Sequence, residues 1–113
     1  MATISDSYID RIAVLIHRTA EPESNPLEYI DLYRYYAVLA LIKGHSVTNE
    51  DIHNAWAAWC SEHEPEHRSL VEYDKLPQHI QDLDTPYTEA TRAVANWLRL
   101  GFIPRSAIPP SGV

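Results

Sequence analysis

Apolar residues recur at three- and four-residue intervals along most of the chain, and no stretch alternates apolar and polar positions at the period of a strand. Near the start, Ile9, Ile12, Ala13 and Ile16, flanked by Tyr8 and Leu15, trace one buried face and predict a first helix from Ser7 to Thr19. Ser7 and Asp10 have the spacing of a capping box, and the stretch from Glu21 to Pro26 makes the first loop. Asn25 as cap, Pro26 as first helical residue and Glu28 near the positive end of the helix dipole predict a second helix from Pro26 to Lys43, stopped by Gly44. Its second half is apolar on more than one face, the pattern of a central helix contacted on several sides.

Thr48 with Asp51 forms the next capping box, and Val47 is placed to staple onto Ile52. The third helix is predicted from Asn49 to about Glu62, with Ile52, Ala55, Trp56, Trp59 and Cys60 as its buried stripe and Pro65 preventing its continuation. The segment from Glu64 to Asp74 reads as mostly extended. Pro77 starts a short helix ending near Leu83, and Thr85 followed by Pro86 caps the last long helix, whose inner face carries Tyr87, Ala90, Val94, Trp97 and Leu98. Gly101 ends that helix, with Phe102 placed to fold back as in a Schellman cap, and SAIPPSGV has the composition of a disordered end. The expected fold is all-α: a compact bundle of four main helices plus one short helix, with an extended loop before the short one. Residues 1–103 form the single domain and 104–113 a flexible tail.

The length of 113 residues allows one core, burying roughly two-thirds of what the unfolded chain exposes. With 45% hydrophobic and 22% charged residues the composition is globular rather than disordered. The longest apolar run, Ala37 to Ile42, is far short of the roughly 18 residues a membrane helix needs, and the N-terminus lacks a signal-peptide pattern. A cytoplasmic protein without membrane attachment is expected, and the single Cys60 allows no internal disulfide.

The formal charge of -7 repels phosphate backbones, and the nine Lys and Arg are scattered, which argues against nucleic-acid binding. A helix-turn-helix reading of the second and third helices fails because Asn49 to Glu62 offers no Arg or Lys to hold phosphates. The dinucleotide-binding and P-loop motifs are also absent.

Cys60, His63 and His67 spell Cys-x2-His-x3-His, ligand types suited to zinc, but Pro65 breaks the helical register that would align them. They are weak metal candidates, and no cofactor is expected. The nearby glutamates raise a thiol's pKa, so Cys60 is a poor nucleophile, and the paired acids at Glu50–Asp51, Asp82–Asp84 and Glu21–Glu23 read as helix-start or solvated charges. The expectation is a binding module and not an enzyme. Seven tyrosines and three tryptophans against one phenylalanine are more informative, since these rings pack while keeping a polar tip. Tyr29, Tyr33 and Tyr36 share one side of the second helix, and Tyr35 points elsewhere.

From residue 52 to 102 the chain reads IHNAWAAW, then HRSLVEYDKLPQHIQDLD, then a last helix ending LRLGF. This order resembles the ryanodine receptor repeat: His53 and Trp56 match its first element, His67, Leu70, Val71, Tyr73, Leu76 and Pro77 its second, Asp84 its third, and Gly101 with Phe102 its last. Arg68, Glu72 and Thr85 depart from its pattern, and a Gly-Trp-x-Tyr-Gly-like turn between the tryptophan helix and the histidine segment is missing. A compact copy of this size also resembles small proteins of actinobacterial phages.

The resemblance implies a helical module binding a nucleotide or small anionic ligand, a sensor or sequestering protein of a phage or bacterial conflict system acting in the host cytoplasm. The expected ligand-binding residues are Trp56, His67, Tyr73 and Asp74. The alternative is a protein-interaction module docking on a host or virion partner, or a homo-oligomer, through its acidic, tyrosine-rich surface.

Overall fold

The computed structural model describes residues 4–104. They form helices α1 (Tyr8–Ala20), α2 (Ile30–Lys43), α3 (Asn49–His63), α4 (Gln78–Gln81) and α5 (Thr85–Leu100), with no strand among them. The fold is therefore all-α, with four main helices and one short one. Helix α2 packs against α1, α3 and α5, and α1 also lies on α5. The core forms where they meet, from Ile12 and Ile16, Ile30, Tyr33 and Ala37, Val47 and Ile52, and Ala90 and Val94.

Helix α1 opens with half of the expected capping box. Ser7 Oγ accepts from the Asp10 amide at 3.1 Å, but the Asp10 carboxylate does not return the bond. It accepts instead from the Ser5 amide at 2.7 Å and from Arg34 Nε and Nη2 of α2 at 2.6 and 2.9 Å. Asp10 is buried, so this bidentate pair ties α1 to α2, and the Arg34 hydrogen bond holds its carboxyl well below the usual carboxylate range.

The Asn25 side chain caps the Leu27 amide as its sequence predicts, yet Pro26–Tyr29 is a tight 3-10 turn and α2 begins only at Ile30. The Glu28 amide bonds back three residues to Asn25, closing this first turn short of α-helical pitch. Helix α2 is contacted on several sides, as its sequence predicts, but one side of its second half is left open. Val38, Leu41 and Ile42 are exposed, Ile42 by 72%, while Tyr36, Ala37 and Ala40 face the core.

Helix α3 carries the full capping box. Thr48 Oγ1 accepts from the Asp51 amide at 3.2 Å and Asp51 Oδ2 accepts from the Thr48 amide at 2.9 Å. Val47 and Ile52 beside it are wholly buried. The segment after α3 is not extended. It runs through consecutive turns, with the His67 amide bonded to the Glu64 carbonyl and the Leu70 amide to that of His67. With no strand alongside, these backbone groups find their partners locally.

Thr85 does not cap α5. The chain is already helical from α4 through the 3-10 turn Asp82–Asp84, so Asp84 is the residue before the helix and makes no side-chain cap bond. At the other end Gly101 adopts φ 69° and the Phe102 amide reaches the Trp97 carbonyl at 3.0 Å, the bond of a Schellman cap. Phe102 itself stays exposed rather than folding onto the last turn. Of the flexible tail expected over 104–113, residues 105–113 lie outside the described residues. None of the described helices is long and apolar enough to cross a membrane.

Candidate functional site: an aromatic cavity with two carboxylates

Every part of the fold contributes to one cavity of about 640 Å³. The turn before α2 presents Tyr29, and α2 presents Leu32, Tyr33 and Tyr36, one side repeating every three to four residues. Helix α3 adds His53, Trp56 and Trp59 by the same spacing. His67, Ser69 and Leu76 come from the turns, Ile80, Leu83 and Asp84 from α4 and the turn after it, Tyr87 from α5, and Glu21 from the end of α1.

The rings form three groups. Tyr33 and Tyr36 meet edge to face at 5.3 Å, and Tyr87 lies within 6.4 Å of both. Trp56 stacks on His53 at 5.6 Å and takes the edge of His67 at 5.0 Å. Tyr29 and Trp59 meet at 5.8 Å. Tyr33 and Tyr36 are buried at the base, whereas Tyr29 and Leu83 are exposed. Burial pushes both buried phenols far above their ordinary range, and Tyr87 is pushed up to about 12 for the same reason, so all three are neutral hydroxyls.

Glu21 accepts from the Tyr33 hydroxyl and, at 3.2 Å, from that of Tyr87. Asp84 is partly buried and its carboxylate has no hydrogen-bond partner among the described residues. Burial raises its carboxyl to about 6, with His53 drawing it back slightly. The histidines are fixed by their partners. His53 Nε2 lies 2.7 Å from the Val71 carbonyl and therefore donates, while His67 Nδ1 accepts from the Ser69 amide at 3.0 Å, leaving Nε2–H as donor. No lysine or arginine lines the cavity.

Of the four residues expected from sequence, Trp56 and His67 line this cavity. Tyr73 does not line it, though its ring lies 6.0 Å from that of His53, and Asp74 is exposed and does not line it. The weak metal candidates are not brought together. The buried Cys60 thiol donates to the Glu64 carbonyl, His63 stacks on Trp59 at 4.6 Å, and His67 faces Trp56. The described residues contain no group of three or more metal-capable side chains.

Sequence reasoning missed Glu21, Asp84 and Tyr87 as cavity residues. Glu21 and Asp84 read as solvated acids and Tyr87 as core, and only the packing of α1 and α5 on α2 and on each other makes them neighbours. The side shared by Tyr29, Tyr33 and Tyr36 was the available signal.

Fold and site define a small all-α domain built around one aromatic, carboxylate-bearing cavity. The family model of a domain of unknown function, DUF7701, matches residues 7–96, and the chain belongs to that family. No curated protein matches the chain, and no solved structure does.

Proposed function

We propose that this domain is a non-enzymatic module that binds a small ligand with a flat or compact apolar body, acting as a sensor or sequestering protein. The observation that carries this reading is the cavity. Its volume of about 640 Å³ falls within the roughly 300–1,000 Å³ typical of small-molecule sites. Six tyrosine and tryptophan rings line it, with a few polar groups converging on them. A partly buried carboxylate with a raised pKa is a further mark of a functional site.

In the nucleotide form of this reading, the base enters among the rings. The phosphates stay outside, because no lysine or arginine inside would hold them. The test is thermal: the purified domain is melted against adenosine, AMP, other nucleosides, cyclic dinucleotides and small aromatic amines. A ligand at a hundredfold excess over its Kd adds about 2.7 kcal/mol, several degrees for a domain of this size. Absence of a shift with every compound counts against a small-ligand module.

A second reading, a protein-interaction or self-association module, is favoured by the outer side of α2. Tyr35, Val38 and Ile42 stand exposed along it, and Tyr35 and Val38 also line a smaller groove of about 450 Å³ with Trp59 and His63. Sedimentation of the wild type and of Ile42→Glu separates the two readings: a dimer lost in the variant supports the surface rather than the cavity.

A further inference from the structure

We propose that the ligand of this cavity is an organic cation, an ammonium group on an aromatic or apolar body, seated with its charge against Asp84. This rests on the reading of the cavity as a ligand site. Trp56, Tyr36 and Tyr87 are among the lining residues, and an aromatic π face attracts a cation within about 6 Å. Glu21 and Asp84 are the formal charges of the lining, both negative.

The two acids are not equivalent. Glu21 is held by the hydroxyls of Tyr33 and Tyr87 and so serves as a fixed charge of the lining. Asp84 has lost part of its hydration to burial and gained no hydrogen bond in exchange. A bound N–H cation supplies both the donor and the opposite charge that this carboxylate lacks, and an N-methyl cation supplies the charge alone. A phosphate or carboxylate ligand would meet like charge at Glu21 and Asp84. The chain's formal charge of -7 adds long-range attraction for cations.

Calorimetric titration at pH 7.5 tests this with phenethylammonium and benzyltrimethylammonium against uncharged 2-phenylethanol, and with adenosine and AMP in parallel. The ammonium probes are expected to bind at least about tenfold more tightly than the alcohol. Asp84→Asn is expected to abolish that preference while leaving 2-phenylethanol unaffected. The variant removes no cap bond, and its melting curve verifies the fold. Equal affinity for alcohol and ammonium, or a preference that survives in Asp84→Asn, overturns the proposal. If adenosine or AMP binds in the cavity and the ammonium probes do not, the cation is wrong and the ligand site stands. If no probe binds at millimolar concentration, both fall.

Discussion

The hydroxyl of Tyr33, in the first turn of α2, donates a hydrogen bond to Glu21, just beyond the end of α1. Tyr33 has no solvent exposure, and the same carboxylate receives Tyr87 from α5. One acid thus joins three helices at the base of the cavity. Tyr33→Phe keeps the ring packing and removes that donor, so it is expected to cost about 1–2 kcal/mol, read as a lower denaturation midpoint at unchanged slope.

The Asp10–Arg34 pair makes a sharper prediction. Arg34→Ala strands a buried carboxylate and is expected to destabilise by roughly 2–4 kcal/mol, the lower end reflecting the partial exposure of Arg34. Adding Asp10→Ala to that variant removes the stranded charge, so the double variant should lose less than the two single losses summed. Additive losses in a double-mutant cycle would show that the pair is not coupled.

Acid should weaken the fold in two stages. His17 is buried, its Nε2 lies 2.7 Å from Ser24 Oγ, its Nδ1 has no partner, and burial lowers its pKa. The unfolded state takes up the proton more readily, so the stability from neutral His17 is complete above about pH 6.5 and declines as pH falls below it. Asp10, depressed by Arg34, contributes stability that is complete above about pH 4 and is lost below it. Chemical denaturation from pH 8 to pH 3 should show both slopes, and His17→Phe should flatten only the upper one.

Asp84 gives the opposite sign for the fold. Its raised pKa means that the protonated carboxyl is favoured in the folded state, a contribution complete below about pH 4 and lost as pH rises through about 6. Cation binding runs against this trend, since the carboxylate is the attracting species. Affinity for phenethylammonium should fall as pH drops from 7.5 through about 6. Glu21 from the end of α1, Tyr36 of α2, His53 of α3, His67 of the turns and Tyr87 of α5 share that environment, so Asp84→Asn is the control that assigns the inflection.

Helix ends were legible in the sequence wherever one side chain caps its own neighbours. Asn25, Thr48 with Asp51, and Gly101 all act as local signals and need no tertiary partner. Thr85 misled because whether it caps depends on the conformation of the residues before it, which α4 draws into helix. For the site, Trp56 and His67 could be placed by their closeness in sequence, Trp56 lying about two turns of α3 before the turns that carry His67. Tyr73 and Asp74 could not be separated from them, because which face of a loop meets a helix is set by packing. Glu21 and Tyr87 lie 66 residues apart, and no periodicity links them.

Three tryptophans make the central claim directly measurable. Trp56 and Trp59 line the cavity, and Trp97 packs on the core without reaching it. The indole N–H signals of a 15N-labelled sample, followed while phenethylammonium, adenosine and AMP are each titrated in, report on all three at once. If the cavity is the ligand site, the Trp56 and Trp59 signals move saturably with at least one of these probes while Trp97 stays in place. Signals that stay fixed throughout, or three that drift together without saturation, contradict the assignment of this cavity as a binding site.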